Sequence, residues 1–158
     1  MPVTKVRSLL LDTNVWIDYF LGEGAELDAI SALIAAGSSN EVTLSYAPTT
    51  AKDLFYVIPN RARRVGENVS YLPLAWACIE HLMEIAVAAP QTLGECELAR
   101  MLRRQCSDFE DNLILAAAAT AKADCVVTSD RKLLKTMPED CITPSRAVEL
   151  LNLTIPTA

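Results

Sequence analysis

The stretch Val6–Phe20, VRSLLLDTNVWIDYF, restricts what this chain can fold into more than any other part of it. A short apolar run of strand length stops at Asp12. A helix pattern then begins, with Val15, Trp16, Tyr19 and Phe20 at helical spacing and Thr13 or Asn14 available as its cap. A buried strand handing over directly to a helix is a βα unit. An acid at that junction lies at the carboxyl end of the strand, where open α/β sheets bind ligands. Asp12 is therefore either a turn residue, common at such junctions, or the first member of a site.

The architecture repeats near the other end. In Asp124–Asp130, DCVVTSD, a β-branched run ends in a turn bearing Asp130, and a short helix starts at Arg131. Asp130 can be the N-cap of that helix or a second acid delivered to the same edge. Cys141–Pro144 and Ser145–Leu151 add a last strand and helix. Strands alternating with helices predict an α/β fold, a central parallel sheet covered on both faces in three layers. At 158 residues, with 51% hydrophobic and 22% charged residues, residues 1–158 read as one globular domain.

Between the two junctions, the periodicity predicts a helix over Ala25–Ala36 stopped by Gly37, a strand over Glu41–Tyr46, and a helix over Thr49–Ile58 ended by Pro59. Asp53 lies one turn into that helix beside an apolar face. It is a site candidate, or a first-turn acid favoured by the helix dipole. Asn60–Asn68 reads as a polar stretch with Arg61, Arg63 and Arg64, solvated or in contact with phosphates. A helix over Leu72–Met83 carries Leu72, Trp76, Ile79 and Met83 on one face, either core or partner-facing. Its His81 is the only histidine and reads as structural, so a histidine-based triad has little support. Ile85–Ala88 is a short strand, and Leu93–Gln105 a helix presenting Arg100, Arg103 and Arg104.

Ser107–Ala123, SDFEDNLILAAAATAKA, opens with Ser107 and Glu110 at capping-box spacing and with Asp108 and Asp111 on one side of the first turn. The rest of this helix is small and apolar, hence buried. Two carboxylates at its mouth repel unless a cation compensates, and the helix dipole offsets only up to about 1 kcal/mol of that. Oxygen ligands without a histidine or thiolate cluster select Mg²⁺ or Mn²⁺ over Zn²⁺.

The net charge of −6 argues against a broadly basic nucleic-acid-coating surface, but not against an acidic site flanked by arginines. Five cysteines, an odd number without a CxxC, read as reduced thiols of a cytoplasmic protein. The N-terminal apolar run is too short for a signal peptide, and no stretch suits a membrane span.

LLLDTNVWIDYF, an acid on a helix at position 53, DFEDNLILAAAA and CVVTSD, in that order and spacing, resemble the PIN domain over essentially the whole chain. The resemblance implies a small α/β/α fold and a metal-dependent ribonuclease, as in the toxins of VapC-type toxin–antitoxin pairs. It puts the family's acids on Asp12, Asp53, Asp111 and Asp130, and an additional acid of a DFED-type branch on Asp108. Many relatives have Glu where this chain has Asp53; Glu41, at the head of its strand, is a weaker substitute. The implied metal ligands are Asp12, Asp108, Asp111 and Asp130, with Mg²⁺ or Mn²⁺ as cofactor. Thr13, Asn14 and Thr128 would position ligands or water. Arg61, Arg64, Arg100, Arg103 and Arg104 are candidate phosphate contacts. The implied partners are RNA, a second copy of the chain and an antitoxin seated as a helix in a groove.

Two other readings remain open. A PIN fold without catalysis would only bind RNA or protein. A haloacid-dehalogenase-like phosphatase also carries an Asp after its first strand, but it wants a second Asp two residues on, where this chain has Asn14. No phosphate-loop or dinucleotide glycine motif is present.

Overall fold

The computed structural model describes residues 5–66 and 70–155. Residues Met1–Thr4 of the leader reading and Glu67 and Asn68 of the polar stretch lie outside the described residues. Among those described, β1 (Ser8–Leu11), β2 (Thr43–Tyr46), β3 (Val87–Ala88), β4 (Cys125–Val127) and β5 (Cys141–Ile142) form one sheet, ordered β3-β2-β1-β4-β5. Every pairing is parallel. β1 is central, pairing Leu9 with Leu44 on one side and with Cys125 on the other.

The helices are α1 (Thr13–Leu21), α2 (Leu27–Ser38), α3 (Pro48–Arg64), α4 (Tyr71–Ile85), α5 (Leu93–Met101), α6 (Phe109–Thr120), α7 (Arg131–Thr136) and α8 (Pro144–Leu151). Strand side chains alternate between faces, so the two faces build separate cores. Leu9, Leu11 and Val127 pack with α1–α4 and α8. Leu10 and Val126 pack with Ile114, Leu115 and Ala118 of α6 and Leu133 of α7. The result is the expected three-layer α/β/α sandwich with a parallel sheet.

Five local expectations are corrected. Gly37 lies inside α2 rather than stopping it: a Cβ there would meet Leu44 Cδ1 at 2.5 Å, so glycine lets the helix lie close on β2. Pro59 does not end α3, which runs on to Arg64. Its ring is buried on the packed face beside Ile58 and Ala62, and Asn60 Nδ2 donates to the Tyr56 carbonyl at 2.7 Å. Arg61, Arg63 and Arg64 therefore form the last turn of a helix rather than a loop, where its dipole favours cations. The helix expected over Leu93–Gln105 is α5 followed by a 3₁₀ turn, Leu102–Arg104. Ser107 and Glu110 form no capping box: Asp108 is the N-cap of α6, and the capping box of the molecule is Thr92 with Glu95 on α5.

On α4 the residues that face inward are Ala75, Cys78 and Leu82. Leu72, Trp76 and Met83 are exposed and only Ile79 of that face packs on the core, so the core reading of the face does not hold. His81 is held by Tyr19, whose hydroxyl lies 2.9 Å from Nε2. All five cysteines are free. Among the described residues no helix is long and apolar enough to cross a membrane.

Candidate functional site

The carboxyl ends of β1 and β4 lie side by side because these strands pair in register, Leu11 with Val127. The chain leaves each strand at its next residue, Asp12 and Thr128. Asp12 N donates to the Val127 carbonyl at 2.9 Å, extending the ladder by one bond. Asp12 then caps α1. Its Oδ1 accepts from Thr13 N at 2.7 Å. Its Oδ2 accepts from Thr128 Oγ1 at 2.7 Å and from Asn14 Nδ2 at 2.9 Å. Asn14 also ties the second junction in place, since its Oδ1 accepts from Ser129 N at 3.0 Å. Thr128 Oγ1 accepts from Asp130 N at 3.0 Å. One hydroxyl thus couples the two acidic junctions.

Asp12 is only 6% exposed. Burial raises its carboxyl pKa above the usual range, against the lowering effect of the three hydrogen bonds, and the charge of Asp130 adds to the rise. Asp130 caps α7, its Oδ1 accepting from Lys132 N at 2.7 Å and Leu133 N at 3.2 Å. Asp108 caps α6 in the same way, Oδ1 accepting from Glu110 N and Asp111 N. The cap reading of Asp130 holds, Asp108 takes the cap expected of Ser107, and each of these acids keeps its second oxygen outside the cap.

Asp111 reports how these groups converge. Its carboxyl is pushed up to about 6, first by burial and then by the charges of Asp108, Asp12 and Asp130, with Lys132 opposing. Its closest side-chain hydrogen-bond partner is the Cys106 thiol, at 3.9 Å from Oδ2. Asp12, Asp108, Asp111 and Asp130 therefore gather at one end of the sheet as acids without a matching cation. Among the described residues, no three acid, histidine or cysteine groups stand close enough together to grip an ion as placed.

Asp53 sits differently. It is paired with Lys52 Nζ at 2.7 Å and adjoins Glu110. The approach of Asp53 is the first cause that raises the Glu110 carboxyl above its usual range, followed by burial. Thr13 is tied to α3 through Thr50, the two hydroxyls 2.8 Å apart, and Thr50 is fully buried. The expected arginines scatter. Arg61 pairs with Glu23 at 2.8 Å and Arg100 with Glu97 at 2.8 Å. Arg64 ends α3. Arg103 and Arg104 are exposed on the 3₁₀ turn just before Asp108 and make no ion pair among the described residues.

The sequence reading missed Thr50, Cys106 and Lys132. The doublet Thr49-Thr50, one turn before Asp53, and the lysine two residues after Asp130 were the available signals. Cys106 gave none.

The sequence model of the PIN domain matches residues 8–132. The chain belongs to the PIN domain family. No curated protein sequence matches it. Among solved structures it is similar to VapBC2 from Rickettsia felis bound to a DNA fragment from its promoter, with a TM-score of 0.64 and 13% identity over 86% of this chain and 98% of that one. At that identity the likeness is one of fold, and the PIN sandwich is the fold described above. The family match includes Asp12, Asp53, Asp108, Asp111 and Asp130, and leaves β5 and α8 outside it.

Proposed function

We propose that this PIN domain is a metal-dependent endoribonuclease that hydrolyses RNA phosphodiester bonds. The observation that carries the reading is the convergence of Asp12, Asp108, Asp111 and Asp130, where burial first and then the charges of the other three acids push the Asp111 carboxyl up to about 6. The donor set fits a hard divalent cation: oxygen ligands, two of them with a carboxylate oxygen not used by the helix caps. Asp12, Asp111 and Asp130 would hold the ion, with Asp108 and Asp53 at its margin. A bound Mg²⁺ or Mn²⁺ supplies charge for the scissile phosphate and acidifies a water.

The remaining work falls to the chain. Thr128 Oγ1 and Asn14 Nδ2 fix the direction of Asp12 Oδ2, and Thr13 anchors the junction to α3. The raised proton affinity of Asp111 reflects burial and the neighbouring acids, and a divalent cation held there would lower it and keep the carboxylate ionised as a ligand. The water oxygen bonds to phosphorus as the ester oxygen leaves. Arg103 and Arg104, exposed on the 3₁₀ turn before Asp108, would meet flanking phosphates, whereas Arg61 and Arg100 are already paired.

The toxin half of a toxin–antitoxin pair is the setting this reading favours. Its supports are the likeness to VapBC2 and a groove of about 490 Å³ between α1, α3 and α4, lined by Phe20, Ile58 and Leu74 with Arg61 and Arg64 beside them. The exposed Leu72, Trp76 and Met83 suit a second copy of the chain. The rival reading, a PIN fold that binds RNA without cutting it, is favoured by the spacing of the acids and by Asp53 facing Glu110.

The deciding experiment is cleavage of single-stranded and structured RNAs with Mg²⁺, Mn²⁺ or EDTA, wild type beside Asp12→Asn. Cleavage that needs the metal and falls about a hundredfold or more in the variant is expected. Cleavage that survives EDTA or the substitution overturns the reading. Metal-dependent stabilisation without cleavage of any RNA selects the binding module.

A further inference from the structure

A recess of about 300 Å³ opens beside the acids, between the α1–α2 turn and the starts of α7 and α8. It shares a wall with the site, because Ser129 and Arg131, on either side of Asp130, both line it. Leu134 and Pro144 supply apolar surface, and Pro144 is buried. Two of its polar groups are already committed. Both oxygens of Glu26 accept from Ser145, and the Thr143 hydroxyl caps α8.

Two groups are not committed. Arg131 makes no ion pair among the described residues. Asp18 is partly buried, and what acts on its carboxyl is burial and the charges of Glu23 and Arg61, without any hydrogen bond. Gly24, at φ +98°, leaves room for that carboxylate: a Cβ there would meet Asp18 Oδ2 at 2.7 Å.

An acid and a base in one recess with apolar walls discriminate strongly among ligands. A simple cation is repelled by Arg131 and a simple anion by Asp18. A nucleotide satisfies both, with its phosphate toward the arginine and its base toward the acid. A carboxylate only accepts hydrogen bonds, so it selects bases with donors on the pairing edge. Guanine alone presents two adjacent donors, N1–H and the 2-amino group, matching two carboxylate oxygens. Adenine and cytosine offer one amino group beside an acceptor, and uracil one N–H between two carbonyls.

We propose that this recess is a guanine subsite for a nucleotide flanking the cleaved bond in single-stranded RNA, with Asp18 reading the base. The proposal rests on the ribonuclease reading for its substrate, but it can be tested without catalysis.

The test is a titration of the ¹⁵N-labelled protein in EDTA with GMP, AMP, CMP and UMP, followed by cleavage of an RNA with randomised sequence. GMP should bind roughly tenfold or more tightly than the others and shift the amides of Asp18, Ser129 and Arg131. Asp18→Asn, which keeps size and shape, should remove that preference, and Arg131→Gln should weaken all four nucleotides alike. In cleavage, guanine should be enriched at one position adjoining the cut, and the ratio of kcat/KM for guanine over adenine there should fall at least tenfold in Asp18→Asn. Equal binding of the four nucleotides, a guanine preference that survives Asp18→Asn, or cut sites without guanine enrichment overturns the subsite. GMP bound at these residues by a protein that cuts no RNA supports the subsite while removing the ribonuclease reading.

Discussion

Thr128 makes the sharpest residue-scale prediction. Its hydroxyl donates to Asp12 Oδ2 at 2.7 Å and accepts from Asp130 N at 3.0 Å, and the residue is fully buried. Thr128→Val keeps the volume and removes both of these bonds together with the longer one accepted from Asn14 Nδ2 at 3.3 Å. It should lower the unfolding free energy by about 1–3 kcal/mol, measured by denaturant titration. It should also cost cleavage activity that Thr128→Ser restores. A residue of purely packing value would give the reverse pattern, since serine leaves a methyl-sized gap. Asp111 adds a pH dependence. Its carboxyl sits at about 6 against an ordinary 3.8, so the folded protein binds that proton more tightly than the unfolded chain. Its contribution is therefore most favourable below pH ~3.8 and is lost as pH rises through ~6. Asp111→Asn should raise Tm relative to wild type at pH 7.5 and do so far less at pH 4.5. Glu95 runs the opposite way, held down to about 2 by Thr92 and Thr120. Its contribution is present above the ordinary 4.5 and fades as pH falls toward 2, so the deficit of Glu95→Gln should shrink in acid.

At the scale of elements, helix propensity and packing disagree at Gly37. Alanine in a helix interior is worth about 1 kcal/mol over glycine, a gain that shrinks at Gly37, the next-to-last residue of α2. Here its Cβ would stand 2.5 Å from Leu44 Cδ1 and 2.8 Å from Leu44 Cγ, and Leu44 is itself buried. Gly37→Ala should therefore destabilise, by about 1–3 kcal/mol, and Leu44→Ala in the same chain should remove most of the penalty, as thermal unfolding of the single and double variants would show. The same conflict explains what was legible in the sequence. Strand runs that end in Asp12 and Asp130 were readable because period, length and capping chemistry all agreed there. Gly37 and Pro59 misled because each is a breaker locally and a close-packing residue in the sandwich, and packing partners 7 or more residues away are not visible in a local pattern. Ser107 was read as the cap of α6 because its spacing to Glu110 is right, yet Asp108, with a charged acceptor one residue on, takes the cap instead.

For the whole molecule, parallel order delivers acids from opposite ends of the sequence to one edge, and this is why Asp12 and Asp130 could be paired by reasoning while their side-chain contacts could not. Which face of α4 points inward, and which arginines are already paired, depend on neighbours that a single sequence does not name. The central position of β1 has a further consequence. Its partner on one side, β2, follows within one helical hairpin, but its partner on the other, β4, is more than a hundred residues away. Closing the acidic site therefore needs a contact between residues 116 positions apart, Thr128 and Asp12, whereas the β1–β2 pairing spans a much shorter loop. Loop-closure entropy orders the two events, with the sheet's first pair able to form well before the acids are brought together.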